Sequence, residues 1–105
     1  MRFPEHATVT ITQTGSAGEQ SYAIPADAAN LTFQVRGLTS SLQYYFKSNA
    51  NGGGPAGDGK YFTLPQGASK TFINFRMDMA GQTIYFQVPS GSTTPATVEI
   101  ETTIS

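Results

Sequence analysis

Apolar and polar residues alternate strictly along residues 29–37. Leu31, Phe33 and Val35 are apolar, and the residues between them are polar. This period of two is typical of a β-strand with one buried face and one face in water. The aromatic and branched side chains suit a pleated surface, and Gly37 ends the run. We therefore predict a strand here that serves as the template for the rest of the chain.

The same alternation recurs in short segments separated by turn signals. No segment has a sustained helical period, and residues 78–80 are too short for more than one helical turn. Glycines at 15–18 predict a hairpin turn, Pro25 ends a strand, and residues 65–67 read as a Pro-x-Gly turn. The further predicted strands are residues 7–14, 20–24, 42–48, 60–64, 70–77, 82–88 and 96–104.

About eight short alternating strands joined by turns predict an all-β fold, an antiparallel β-sandwich that is jelly-roll-like or of Greek-key type. An immunoglobulin-type sandwich is less favoured because the chain has neither Trp nor Cys. We expect one domain over residues 1–105, with the terminal strands 7–14 and 96–104 at sheet edges. The predicted core is Leu31, Phe33, Val35, Tyr44, Phe46, Ile73, Phe75, Ile84, Phe86, Val98 and Ile100.

Charged residues are scarce, at 12% of the chain, and the net charge is −1. Six Lys and Arg spread singly provide no basic patch, so we expect no nucleic-acid partner. No stretch approaches the roughly 20 apolar residues of a membrane-spanning helix. The absence of Cys fits a reducing cytoplasm, and residues 1–6 lack the apolar run of a Sec signal.

Residues that would carry catalysis are few. His6 is the only histidine, and we expect it to lie exposed in a frayed terminal segment. Glu99 and Glu101 share one face of the last predicted strand and imitate a glycosidase pair. A solvated edge that discourages sheet pairing explains them better. We therefore expect no enzymatic activity.

Metal and phosphate sites find little support, and we expect no cofactor. Zinc needs Cys or several His. Asn49, Asn51 and Asp58 offer oxygen ligands for calcium, but a single carboxylate is too few for a typical calcium site. Residues 54–60 imitate a phosphate loop, yet Tyr61 replaces the required Ser or Thr and a strand follows instead of a helix. The glycine-rich segment 49–59 instead predicts a mobile surface loop that is dispensable for folding.

Three aromatic residues, Tyr45, Phe72 and Tyr85, fall opposite the apolar stripes of their strands. If the stripes face the core, these side chains lie on outer sheet surfaces, where aromatics anchor protein interfaces or stack on sugars. The alternative is that a long loop covers one of them. Outward positions are otherwise Thr, Ser, Gln and Asn, which are easier to desolvate than charges. The interface candidates are Tyr45, Phe72, Tyr85, Glu99 and Glu101.

Several strand-and-turn segments resemble small β-rich virion structural proteins of tailed bacteriophages. The segments are residues 22–26 (YAIPA), 31–37 (LTFQVRG), 61–67 (YFTLPQG), 81–87 (GQTIYFQ) and 97–101 (TVEIE). The resemblance implies a non-enzymatic capsid decoration, head-fibre or tail accessory subunit. Such a subunit is assembled in the host cytoplasm and bound to itself and to other virion proteins. It carries over no catalytic residues.

A second hypothesis remains open from the residues themselves. Similar segments occur in carbohydrate-binding sandwiches, and Tyr45, Tyr61 or Tyr85 with loop Asn and Asp residues would then contact surface glycans. The sequence thus leaves two classes of function, an assembly module and a lectin-like module.

Overall fold

The structure is a computed structural model that describes residues 4–73 and 82–104. Its secondary structure is made of strands and short 3-10 helices, and no α-helix occurs within the described residues. The 3-10 helices are Gly15–Gly18, Arg36–Leu38 and Asn49–Asn51. The strands are β1 (Glu5–Ile11), β2 (Gln20–Ala23), β3 (Ala28–Val35), β4 (Leu42–Tyr45), β5 (Phe62–Leu64), β6 (Ser69–Ile73), β7 (Thr83–Gln87) and β8 (Ala96–Ile104).

The strands form two four-stranded antiparallel sheets. Sheet 1 has the order β1-β8-β3-β6, and sheet 2 has the order β2-β7-β4-β5. This interleaved order is the jelly-roll arrangement, in which the chain crosses repeatedly between two packed sheets. The prediction of an all-β, eight-stranded sandwich of jelly-roll type is confirmed.

The core lies between the sheets and is centred on Phe33, which is fully buried. The Phe33 ring meets Tyr44 edge-on at a centroid distance of 5.0 Å and Phe86 at 5.1 Å. Edge-to-face pairs of this kind add stabilisation beyond the burial of area. Phe46 packs against the core while partly buried. The other predicted core residues that are buried are Leu31, Val35, Ile84, Val98 and Ile100.

The facing predicted for β6 is wrong. Leu31 lies opposite Phe72 and Asn30 opposite Ile73, and residues opposite one another in a ladder share a face. Because Leu31 points into the core, Phe72 does too, whereas Ile73 is 66% exposed. The sequence pattern was misleading because Ile73 continues a stripe with Phe75 and Met77. Phe75 and Met77 lie outside the described residues.

Strand order also corrects the predicted edges. The template strand β3 is central, between β8 and β6, but β8 is central as well, between β1 and β3. The edge strands are β1 and β6 in sheet 1 and β2 and β5 in sheet 2. The Gly15–Gly18 segment is not a hairpin turn, because β1 and β2 belong to different sheets. It is a crossover closed by a hydrogen bond from Gly15 N to Val88 O of 2.8 Å.

Within the described part of the chain, no helix has the length and apolar character needed to cross a membrane.

Candidate interface surfaces

The five predicted interface residues fall on three separate parts of the sandwich. Tyr45 and Tyr85 lie on the outer face of sheet 2, and Glu99 and Glu101 on the outer face of sheet 1. Phe72 packs against the core near the edge formed by β5 and β6. Four of these residues lie on outer faces as predicted, but the outward position predicted for Phe72 is wrong because its side chain faces the core.

Tyr45 is not exposed, contrary to the prediction. It lies on the outer face of sheet 2, but only 3% of its surface is accessible. The segment that follows β4 covers it: a Cβ added at Gly54 would lie 2.8 Å from Tyr45 Cε2. Gly54 also has φ of 68°, a left-handed conformation that favours glycine. This close approach removes Tyr45 as a platform for a partner or a sugar.

A polar network fixes the covering segment to sheet 2. The Tyr45 hydroxyl lies 2.6 Å from Glu19 Oε1 and 2.9 Å from Gln87 Oε1, and its one hydrogen serves one of them. Asn49 Nδ2 lies 2.7 Å from Glu19 Oε1 and 2.8 Å from Gln87 Oε1 and donates to these oxygens. Burial, and then the hydrogen bond and charge of Glu19, raise the pKa of Tyr45, which keeps its hydroxyl protonated as a donor.

The glycine-rich segment itself is internally bonded. Asn49 Oδ1 accepts from Ala56 N at 2.8 Å, so one side chain links both ends of the segment. Gly53 N donates to Ser48 O at 2.8 Å and Gly59 N to Gly54 O at 2.9 Å. The prediction that residues 49–59 are a loose, dispensable loop therefore conflicts with the structure, in which they form a packed cover.

Tyr85 is half-buried and stacks on Tyr45. The two ring centroids are 6.0 Å apart and the rings are inclined by 15°. Because one face of the Tyr85 ring rests on a buried neighbour, substituting it would disturb the fold as well as the surface. Tyr85→Lys, the natural test of an aromatic contact, is therefore a poor test of assembly alone.

The outer face of sheet 1 carries a cross-strand row of polar side chains. Glu99 on β8 lies opposite Gln34 on β3 and Thr8 on β1. Arg36 Nε donates to Glu99 Oε2 at 2.8 Å, and Gln34 Nε2 donates to Glu99 Oε1 at 3.1 Å. These two hydrogen bonds hold the pKa of Glu99 below its ordinary value, and the bond from Arg36 has the larger effect. Both oxygens of this carboxylate are thus engaged, one by β3 and one by the 3-10 helix that follows it.

His6 takes part in the adjacent row. Contrary to the expected frayed terminus, it lies in β1 opposite Glu101, with His6 Nε2 3.0 Å from Glu101 Oε2. Thr32 lies on the other side of Glu101 and its hydroxyl is 3.0 Å from that of Thr71. The two rows border a shallow concavity of about 430 Å³, which we call the sheet-1 groove. It is lined by side chains of His6, Thr8, Thr32, Gln34, Arg36, Glu99 and Glu101.

Exposed apolar side chains occur on both sheets at the β5–β6 side of the sandwich, at the start of β5 and at the end of β6. Phe62 is 55% exposed, Ile73 66% and Tyr61 42%, and these three residues are called the edge patch below. The Phe62 ring packs at 5.6 Å from that of Tyr44. Lys70 Nζ lies 5.6 Å from the Phe62 centroid and 5.2 Å from that of Phe72, a cation–π arrangement. Lys70 is the one charged residue in β5 and β6.

No group of three or more His, Cys, Asp or Glu that would hold a metal occurs among the described residues. Asn49 and Asp58 are engaged within the chain, since Asp58 Oδ1 accepts from Lys60 N at 2.9 Å. Two of the three side chains proposed as calcium ligands therefore also accept hydrogen bonds from backbone amides.

Sequence reasoning missed two sets of residues. Glu19, Asn49 and Gln87 come from separate segments, and no local pattern indicates that they meet over Tyr45. Thr8, Gln34 and Arg36 were all assigned outward, but their alignment with Glu99 depends on the order β1-β8-β3. Strand order is set by long-range pairing, which alternation within single strands does not report.

Comparisons with protein-family models, with curated proteins and with solved structures find no match to this chain.

Proposed function

We propose that this chain is a non-enzymatic structural subunit of a virion, acting as a capsid decoration or head or tail accessory protein through protein–protein assembly. The phage context rests on the resemblance of its strand and turn segments. The jelly roll is compatible with it, because viral capsid domains often have this architecture. Lectins share the architecture, so the fold by itself does not select a function.

The observation that supports assembly is the edge patch. Large apolar side chains exposed on the edge strands at one side of both sheets are unusual for a free domain, since edges present unpaired backbone groups and are commonly protected by charges. Lys70 provides the one charge in these strands, and its ammonium lies over the rings of Phe62 and Phe72. We propose a second copy of this chain as the first partner, with other virion proteins in the assembled particle.

The alternative, a lectin-like module with a tyrosine platform, is weakened at two of its three proposed tyrosines. Tyr45 is buried beneath residues 49–59 and Tyr85 rests on it, so Tyr61 is the most accessible of the three proposed tyrosines. One accessible tyrosine provides much less surface for stacking on a sugar than the three tyrosines proposed from the sequence.

Ile73→Lys is the variant that tests assembly. Its side chain is mostly exposed, so the folded monomer should tolerate lysine. In a desolvated contact the added ammonium is unpaired, and we expect self-association to weaken by at least about tenfold, roughly 1.4 kcal/mol. Light scattering coupled to size-exclusion chromatography, over a concentration series, measures the change.

Thr10→Lys is the matched control. Thr10 is exposed on the same outer face of sheet 1, but on β1 at the opposite edge. We expect this variant to associate like the wild type. A wild-type protein that stays monomeric at about 100 µM, a concentration that would reveal even weak pairing, contradicts the assembly proposal. If Ile73→Lys and Thr10→Lys weaken self-association equally, the edge patch is not the contact surface.

A further inference from the structure

The sheet-1 groove has features of a ligand site that are independent of the edge patch. It crosses β1, β8 and β3, and its volume of about 430 Å³ is within the range of small-molecule sites. Its side chains are held in place across strands, since Glu99 is bound by Arg36 and Gln34 and Glu101 by His6. Preorganised polar groups lose less conformational entropy when they bind a ligand.

Several polar atoms in the groove remain available. Within the described residues, the Thr8 hydroxyl, the second oxygen of Glu101 and the terminal nitrogens of Arg36 make no hydrogen bond. Arg36 offers only donors, Glu101 only acceptors, and Thr8 both. A ligand that satisfies all three must itself both donate and accept at closely spaced positions.

The charges in the groove restrict the chemical class of the ligand further. Two carboxylates oppose one guanidinium, with His6 beside Glu101. An anionic ligand would meet Glu99 and Glu101, and a cationic one would meet Arg36. A neutral molecule with several hydroxyl groups avoids both penalties, because each hydroxyl donates to a carboxylate or accepts from the guanidinium.

We infer that the sheet-1 groove binds a neutral oligosaccharide edge-on, through its hydroxyl groups. The lining contributes Thr8 from β1, Glu101 from β8 and Arg36 after β3 as direct contacts. Its aromatic member, Phe33, is buried with its ring in the core, so no stacking platform contributes. We expect a dissociation constant on the order of 0.1–10 mM for such hydrogen-bonded binding in an open groove. Multiple copies in an assembly would raise the avidity without any new contact.

The test is a two-dimensional ¹H–¹⁵N NMR titration of the intact chain with three neutral probes: maltohexaose, cellohexaose and tetra-N-acetylchitotetraose. Acidic tetragalacturonate and cationic chitosan tetramer are the charged comparisons. We expect saturable shifts at the amides of Thr8, Thr32 and Glu101 with at least one neutral probe, and weaker or no binding of the charged ones. No saturable shift at these amides with any neutral probe, or tighter binding of a charged one, overturns the inference.

Point variants locate the contact. Thr8→Val removes one hydroxyl while keeping the shape, and Glu101→Gln removes the charge of the acceptor; we expect each to weaken binding by about three- to tenfold. Thr10→Val, the same change on the same face of β1 but outside the groove, should leave binding unchanged. Equal effects of Thr8→Val and Thr10→Val contradict the assignment.

The titration also separates this inference from the assembly proposal. Ile73→Lys should weaken self-association and leave the sugar affinity of each chain unchanged. If the groove amides instead shift with protein concentration in the absence of sugar, the groove is a protein contact and the saccharide assignment is wrong.

Discussion

Phe33→Ala is expected to destabilise the domain by about 3–5 kcal/mol, a large fraction of the roughly 5–15 kcal/mol by which native domains are stable. Phe33 is fully buried between the two sheets, and its ring contacts Tyr44 and Phe86 of the opposite sheet edge-on. Truncation leaves a cavity that these rigid neighbours cannot fill. Urea denaturation followed by far-ultraviolet circular dichroism measures the loss.

Ile73→Ala is the matched control, because the sequence placed Ile73 in the same core. The structure leaves this side chain 66% exposed, so we expect a change within about 0.5 kcal/mol when the protein is dilute. Similar large losses for the two variants would mean that Ile73 is buried, and would contradict the observed facing of β6.

Replacing residues 49–59 by a short Gly-Ser connector is expected to destabilise the domain by about 2–4 kcal/mol. Loop length alone changes stability by only about 0.6 kcal/mol per doubling, and shortening favours folding. The larger effect is the exposure of Tyr45, which loses its cover and the donors that Asn49 supplies to Glu19 and Gln87. The melting temperature should fall by about 8–25 °C.

Two single variants show whether packing or length is responsible. Asn49→Ala removes the side chain that bonds Glu19, Gln87 and Ala56, and should reproduce much of the loss. Asn51→Ala changes an exposed residue of the same 3-10 helix and should cost little. If the connector variant melts like the wild type, the segment is not a packed cover and the sequence-based expectation of a dispensable loop stands.

Much of the fold follows from short-range pattern. Residues 96–104 were predicted with the observed bounds of β8, and most other strands differ at their ends by a few residues. Alternation reports which positions share a face, and the buried face was assigned correctly for β3 around Phe33. For β6 the assignment failed at Phe72 and Ile73, because both faces of that segment carry apolar residues.

The surfaces depend on relations between distant segments. Nothing in the sequence around Tyr45 shows that Asn49 and Gly54 close over it, since glycine-rich composition is equally typical of a loose loop. Glu99 was recognised as an outward carboxylate, but its pairing with Arg36 follows from the antiparallel register of β3 and β8. Partner and register are set by tertiary packing, which acts between residues far apart in the chain.

Assembly through the β5–β6 edge is tested by hydrogen exchange measured at low and at high protein concentration. An edge strand leaves half of its backbone amides without a ladder partner, and these amides exchange quickly until a second chain covers them. We predict that protection of residues 60–73 rises with concentration, while β1 and β2 at the opposite edge are unaffected. Exchange that does not depend on concentration, or protection that appears at β1 and β2 instead, would contradict the account.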